Sequence, residues 1–404
     1  MKYKQRITAV IFLMLVIPVG LRCVMGAKNF YLGIGWHLAN VDTLYDSNYT
    51  SAIHVGTEIV LDGYIPWEEK WIEFYGGVQH LLDKNHIKGS NAKKFSLNDI
   101  VRLENHYLIF TNVEEAFPGE EPFLEIASRM IRFHEFLSQK NIRFLYVQAP
   151  GKVCKTDPQL PRGMEVSGNR AADILLKELN AAKVPTLDLR DEFPRGGPDY
   201  YSLFYVGDHH WNTSGALLAV QKTAAFINEH FDVKLDAEAL LSERFSREDF
   251  RFRFTGSTRK RVGNFYTLPD SETLLLPIFP TRFDVQLPQE RKTVAAGSFE
   301  DIWVDKSSLA DGKPCYALYT KKYDTLANYI NKNTHSPVRI LLVGDSFIEL
   351  FAPFLSLSCK ENVNLEPAYY RKSIKEIVKT YQPDLVIILF SPGRKDILEI
   401  DYPL

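Results

Sequence analysis

A short apolar run that ends in glycine, aspartate and serine is the most informative stretch of this sequence: Arg339-Ile-Leu-Leu-Val-Gly-Asp-Ser346. Such runs are typical of strands that are buried on both faces of a parallel sheet. In open α/β sheets, ligands bind beyond the carboxyl ends of the strands, where Ser346 would lie. We therefore consider Ser346 a candidate nucleophile. The structural alternative is a serine that only caps the next helix.

Further apolar runs and amphipathic helices on both sides of this stretch extend the pattern. Ile126, Met130, Phe133 and Leu137 recur at helical spacing, and Asn212 offers a cap for another helix. The pattern predicts strands at 142–148, 185–189, 338–343 and 385–390, and helices at 171–182, after 212, and at 373–380. Helices that alternate with buried strands predict an α/β fold, with a parallel sheet covered on both faces.

The predicted sheet is interrupted in sequence. Residues 120–239 form its first part and residues 336–404 its second part. Residues 240–335 have short strand-like pieces without the alternation, which predicts a mostly β insertion, and residues 28–119 form an N-terminal extension.

A second polar motif, Gly207-Asp-His-His-Trp-Asn212, precedes the capped helix. A serine nucleophile needs an imidazole to take its proton and a carboxylate to orient that imidazole. Asp208 and His210 supply both from one turn. A metal site is the rival interpretation of the cluster, but no third and fourth ligand occur at convincing spacing, so we predict none. Structural histidines are a further alternative.

The first 27 residues have the composition of a secretory signal. Lys2, Lys4 and Arg6 precede an apolar run from Ile7 to Leu21. We expect an uncleaved signal anchor, with a cleaved signal peptide as the alternative. Either would place the rest of the chain outside the cytoplasm.

Charge and cysteine content exclude several classes of protein. The formal net charge is −2, and no long basic stripe occurs, so we expect no nucleic-acid partner. Cys154, Cys315 and Cys359 form no metal-binding pattern and permit at most one disulfide. We expect isolated thiols, and no cofactor.

Asp208-His209-His210-Trp211 in the first block and Gly344-Asp345-Ser346 in the second resemble the DHHW and AlgX/AlgJ-like branch of SGNH hydrolase proteins, which includes alginate acetyltransferases. Ala149–Lys152 resembles a proline-lysine turn of that family, as does the run Pro383–Ile387 that precedes Arg394. The serine block comes last here, whereas it comes first in ordinary SGNH hydrolases. Asp345 departs from the threonine that is usual in the alginate proteins.

The resemblance implies a permuted, flavodoxin-like SGNH fold of three layers. It assigns Ser346 as nucleophile, His210 as base and Asp208 as the partner of His210, with His209 as an alternative base. Among candidate substrate-binding residues are His209, Arg394 and Trp211. Trp211 would serve as a stacking platform for a sugar or, alternatively, pack beneath the helix.

The expected function is O-acetyl transfer to a cell-envelope polysaccharide or exopolysaccharide. The resemblance also implies a membrane-bound O-acyltransferase as the partner that delivers the acyl group. An esterase of the same fold is the alternative, since water can replace the sugar hydroxyl. A non-catalytic envelope scaffold is the third interpretation.

Overall fold

The computed structural model describes residues 68–84, 86–91, 96–111, 119–154, 160, 167–194, 197–267, 269–287, 292–309, 318–319, 326–367 and 373–394. The predicted signal segment at 1–27 lies outside these residues. None of the helices in the described ranges is long and apolar enough to cross a membrane. The chain divides into two compact units, Met1–Asn98 with Arg261–Tyr266, and Asp99–Lys260 with Thr267–Leu404.

The strands and helices are numbered here in chain order. The strands are β1 (His86–Asn91), β2 (Ser96–Arg102), β3 (Leu108–Thr111), β4 (Arg143–Gln148), β5 (Thr186–Asp188), β6 (Phe245–Phe254), β7 (Asp270–Pro277), β8 (Phe283–Gln286), β9 (Thr293–Gly297), β10 (Asn328–Asn331), β11 (Arg339–Gly344), β12 (Glu361–Leu365) and β13 (Leu385–Phe390). The α-helices are α1 (Glu68–Leu81), α2 (Glu121–Ser138), α3 (Ser167–Ala181), α4 (Leu189–Glu192), α5 (Gly197–Tyr201), α6 (Thr213–His230), α7 (Phe299–Trp303), α8 (Ile348–Leu357) and α9 (Ile374–Tyr381).

The larger unit is built on an eight-stranded sheet with the order β5-β4-β13-β11-β12-β10-β8-β9. The five strands from β5 to β12 run parallel. They include all four strands that the sequence predicts, each within two residues of its predicted bounds, so the predicted α/β fold with a parallel sheet is confirmed. Strands β11 and β13 lie at the centre and end next to Ser346.

Side chains of the central strands alternate between two hydrophobic cores, as the pleat requires. Ile340 and Leu342 of β11 join the core that includes residues of α6 and α8. Leu341 and Val343 join the opposite core, which includes residues of α2, α3 and α9. The result is three layers with helices on both faces of the sheet, as expected for the SGNH fold.

Residues 240–335 are mostly β where they are described, but they do not all form a separate sheet. Strands β6 and β7 pair as an antiparallel ribbon. Strands β8, β9 and β10 instead extend the central sheet, because β10 pairs antiparallel with β12. Strand β7 of this ribbon contacts the segment that contains Asp208 and His210.

Residues 99–111 lie within the larger unit, before the predicted boundary at residue 120. Strand β3 pairs antiparallel with β2, and the Leu108 amide at its start donates a hydrogen bond to the Val206 carbonyl. In the smaller unit, the Glu73 carboxylate of α1 accepts hydrogen bonds from the backbone and side-chain amides of Asn264. Of the four cysteines, Cys154 and Cys359 are free thiols, and Cys23 and Cys315 lie outside the described residues.

Candidate active site

The structure brings Ser346, His210 and Asp208 together, although 136 residues separate the serine from the histidine. The His210 Nε2 atom lies 2.7 Å from the Ser346 Oγ atom. The His210 Nδ1 atom lies 2.6 Å from the Asp208 Oδ1 atom. These distances are those of a hydrogen-bonded serine, base and orienting carboxylate.

The end of β11 positions Ser346. Gly344 is required there, because a Cβ atom at this position would lie 2.3 Å from the Leu389 carbonyl oxygen of β13. Helix α8 begins two residues after Ser346, and its N-cap position belongs to Phe347. Ser346 is therefore not the capping residue of α8, and the alternative of a capping serine does not hold. Its hydroxyl faces His210 instead.

The turn before α6 positions the other two side chains. The Asp208 Oδ1 atom accepts a hydrogen bond from the His210 amide, which fixes the turn. The Asp208 Oδ2 atom accepts a second one, of 2.7 Å, from the Ser257 amide. Gly256 permits this approach, because a Cβ atom there would lie 2.2 Å from the Gly207 carbonyl oxygen. Asn212 caps α6, as predicted, by accepting from the Gly215 amide.

Electrostatics prepare the pair for proton transfer. Burial alone would raise the pKa of Asp208, but the His210 ring and the hydrogen bonds outweigh it and hold this pKa well below its usual value. Burial alone would lower the pKa of His210, but the Asp208 carboxylate more than offsets it and the pKa is raised. Asp208 therefore stays ionised and strengthens the basicity of the imidazole.

Two buried carboxyl groups of β7 hold the segment that carries Asp208 and His210. Asp270 accepts hydrogen bonds from the Gly207 amide at 3.0 and 3.1 Å. Glu272 accepts a bond of 2.7 Å from the Thr213 hydroxyl and another from the Tyr205 hydroxyl. Burial raises the pKa of Asp270 to about 6 and that of Glu272 to about 8. We call these two residues the β7 clamp.

His209 lies beside the reacting pair but does not face Ser346. Its ring centroid is 3.9 Å from that of His210, and its Nδ1 atom lies 3.2 Å from the Ser257 Oγ atom. Partial desolvation by the surrounding protein and the adjacent His210 lower the pKa of His209, although 44% of its side chain is exposed. The geometry favours His210 as the base. His209 lines an adjacent cavity, which suits the predicted contact with substrate.

Arg394 lies at the edge of the same site. Its Nε atom is 3.7 Å from the Asp345 Oδ2 atom. Asp345 is buried and links the end of β11 to the end of β13, since its carboxylate accepts hydrogen bonds from the Ser391 amide and hydroxyl. Asp345, which stands where the alginate proteins usually have threonine, thus holds the ends of these two strands together. The substrate contact predicted for Arg394 stays a prediction.

The prediction of Trp211 as a sugar platform is wrong. The indole has no exposed surface and packs within the core against the rings of Phe347 and Phe351, at centroid distances of 5.0 and 6.1 Å. A ring that is covered on both faces cannot stack on a ligand. The structure instead agrees with the alternative, in which Trp211 packs beneath the helix.

Asp208, His209 and His210 also place one ligand atom each within 4.8 Å of one another, the geometry of a three-ligand metal cluster. The same atoms already have hydrogen-bond partners, because His210 Nε2 faces Ser346 and both Asp208 oxygens accept from other groups. A metal ion would have to displace these bonds. The arrangement suits proton transfer better than metal binding.

Three residues that support the site could not be found from the sequence motifs: Ser257, Asp270 and Glu272. They lie in the stretch predicted as a β insertion. The alternating pattern of β7 indicates a strand, but no local signal shows that its buried face carries two acids. Lys152, in the predicted proline-lysine turn, has a structural role. Its ammonium group donates to the carbonyls of Leu108 and Val206 at 2.9 and 3.0 Å, which joins β3 to the segment before Asp208.

Comparisons with known proteins agree with this fold. Residues 109–252, a little over a third of the chain, match the model of the SGNH hydrolase-like domain of the acetyltransferase AlgX. The structure of PatB1 from Bacillus cereus superposes with a TM-score of 0.60 at 19% identity, over 74% of this chain and 99% of that one. A DHHW family protein from Eubacterium siraeum superposes with a TM-score of 0.56 at 14% identity, over 79% and 99%. No curated protein sequence matches the chain.

The three-layer fold and the match over residues 109–252 show that the larger unit contains an SGNH hydrolase-like domain. Residues 109–252 match the AlgX domain model, so the resemblance inferred from the two motifs is confirmed. The prediction of an O-acyltransferase-like SGNH enzyme is supported by the same match.

Proposed function

We propose that this protein is an extracytoplasmic serine O-acetyltransferase that modifies a cell-envelope polysaccharide or exopolysaccharide through an acyl-enzyme on Ser346. The observation that carries the proposal is the 2.7 Å contact between His210 Nε2 and Ser346 Oγ. It is supported by the Asp208 carboxylate behind the imidazole and by the family of the matched domain.

The first half-reaction loads the serine. His210 Nε2 takes the hydroxyl proton as Ser346 Oγ bonds to the carbonyl carbon of an acetyl donor, which is an ester or a thioester. The protonated imidazole, held by Asp208, then gives that proton to the leaving oxygen or sulfur. The donor loses its acetyl group, and Ser346 carries it as an ester.

The second half-reaction uses the same groups in reverse. His210 takes the proton of a sugar hydroxyl, whose oxygen bonds to the acetyl carbon. The bond to Ser346 Oγ breaks, and His210 returns the proton to the serine. Water in place of the sugar would make the protein an esterase, so the two activities differ only in the acceptor.

The basic and apolar N-terminal segment, residues 1–27, supports an anchored protein whose catalytic unit lies outside the cytoplasm. A site on that side of the membrane needs an acetyl donor that has crossed it. We therefore propose a membrane-bound O-acyltransferase as the partner that delivers the acyl group.

A decisive experiment uses the full-length protein in detergent with p-nitrophenyl acetate. We expect rapid release of p-nitrophenol, a mass increase of one acetyl group on the peptide that contains Ser346, and acetylated sugar when an oligosaccharide acceptor is present. Ser346→Ala should show none of the three. Full activity in Ser346→Ala would refute the proposal, and hydrolysis without transfer to any acceptor would favour the esterase.

A further inference from the structure

A cavity of about 170 Å³ opens beside the candidate active site. Phe110 of β3 forms part of its wall, together with Val153, Phe347 and Pro392. His209 also lines it, next to His210. We call this space the Phe110 cavity.

The size of the cavity limits what it can hold. An apolar cavity of roughly 150 Å³ takes a benzene molecule, and pockets for larger ligands begin near 300 Å³. The Phe110 cavity therefore has room for one six-membered ring, and an acetyl group alone would leave much of it empty.

The chemistry of the wall indicates which kind of ring. Aromatic and aliphatic side chains form most of it, and four residues with polar side chains interrupt it: Lys152, Asn169, His209 and Ser391. A pyranose ring has one face of C–H groups and hydroxyls around its edge, so it suits a wall of this kind. An acyl chain would offer these polar side chains no hydrogen-bond partner.

The position of the cavity fits an acceptor. The ring centroids of Phe110 and His209 lie 6.5 Å apart, and those of His209 and His210 lie 3.9 Å apart. Phe347, the residue after the nucleophile, lines the cavity and contacts the His210 ring at 5.0 Å. A ring in the cavity would thus lie against His209 and Phe347, the two residues whose rings are closest to that of the base His210.

We propose that the Phe110 cavity binds the pyranose ring of the acceptor, and that Phe110 is the stacking residue in place of the buried Trp211. This inference rests on the proposed transferase activity. Phe110 is half-buried, which leaves part of its surface for a ligand, whereas Trp211 has none. His209 acts as a polar neighbour of the same ring.

The test compares acceptor use with simple ester hydrolysis. Full-length wild type, Phe110→Ala and Phe110→Tyr are given p-nitrophenyl acetate with cellopentaose, chitopentaose or xylopentaose, and acetylated sugar is measured by mass spectrometry. We expect Phe110→Ala to lower kcat/KM for the acceptor about 5- to 10-fold, the range of an aromatic contact. Hydrolysis without acceptor should change less than about threefold, and Phe110→Tyr should retain transfer. Phe265→Ala, which removes an aromatic ring that is 69% exposed elsewhere, is the matched control.

Each other outcome has a meaning. Unchanged acceptor kcat/KM in Phe110→Ala overturns the acceptor site and leaves the transferase intact. An equal loss of hydrolysis and transfer assigns Phe110 to packing, and a changed preference for p-nitrophenyl butyrate over acetate assigns the cavity to the acyl group. Hydrolysis by wild type without transfer to any of the three sugars overturns the proposed transferase and the acceptor site together.

Discussion

Two segments carry the candidate site, and they are held in different ways. Gly344–Phe347 is positioned by the backbone, because β11 pairs with strands on both sides and α8 begins immediately afterwards. Tyr205–Thr213 is an irregular segment without long-range strand pairing. Hydrogen bonds from distant chain segments fix it. They come from the β7 clamp, from the Ser257 amide, and from the Leu108 amide and the Lys152 ammonium group, which both donate to the Val206 carbonyl.

The difference shows how the two halves of such a site tolerate change. A segment that is held by sheet pairing shares its support among many backbone hydrogen bonds. A segment that is held by a few individual hydrogen bonds from distant residues depends more on each of them, because an unpaired buried polar group costs about 1–3 kcal/mol. We therefore expect the serine to stay in place in most variants and the base to be displaced more easily.

The largest effect is expected when one reacting group is removed from either segment. Ser346→Ala and His210→Ala should each lower kcat for p-nitrophenyl acetate by roughly 10⁴-fold or more, and the double variant should be no worse, since these groups act as a unit. Ser307→Ala, at an exposed serine, is the control. Additive losses would contradict a shared mechanism.

A slightly smaller effect is expected for Asp208→Asn, which keeps the shape of the turn but removes the charge. Loss of the correct imidazole tautomer should lower kcat by about 10³- to 10⁴-fold. The carboxylate raises the pKa of His210, so wild-type activity should increase with pH through a midpoint above the usual 6.5. The residual activity of Asp208→Asn should have a lower midpoint. An unchanged midpoint would mean that Asp208 does not control the base.

The β7 clamp should have an intermediate effect. Asp270→Ala or Glu272→Ala leaves polar groups of the Tyr205–Thr213 segment without their buried partner, so we expect a loss of about 1–3 kcal/mol in stability and roughly 10- to 100-fold in kcat. Thermal unfolding and ester kinetics test this. A kcat that is unchanged despite lower stability would show that the clamp stabilises the fold without positioning the base.

The protonation of Glu272 gives a subtler effect. Its pKa is raised from 4.5 to about 8, so its contribution to stability is complete below about pH 4.5 and is lost as the pH rises through about 8. This group should therefore lower the Tm of wild type as the pH rises from about 4.5 to about 8. Glu272→Gln, which does not titrate, should show a smaller fall, and Glu243→Gln at an exposed site should behave as wild type. Parallel curves for wild type and Glu272→Gln would contradict this.

The smallest effect is expected for chelators. The ligand atoms of Asp208 and His210 already form the hydrogen bonds that proton transfer needs, and His209 bonds to Ser257, so EDTA should leave ester hydrolysis unchanged. Loss of activity in EDTA that zinc restores would revive the metal interpretation of this cluster and refute the serine mechanism.

Local patterns determined much of the fold and part of the site. Helical spacing at Ile126, Met130, Phe133 and Leu137 predicted α2, the cap at Asn212 predicted the start of α6, and the apolar runs predicted β4, β5, β11 and β13. These features follow from periodicity and capping, which neighbouring residues in sequence decide. The two polar motifs likewise identified Ser346, His210 and Asp208 as residues that should meet.

Only the tertiary structure decided the rest. Whether His209 or His210 faces the serine depends on the turn that Asp208 fixes, and the burial of Trp211 depends on Phe347 and Phe351, which are far away in sequence. The β7 clamp and the Phe110 cavity each join segments that lie apart along the chain, so no local pattern indicates them. Long-range packing chooses these partners, because it is the fit of the folded surfaces that determines which buried groups meet.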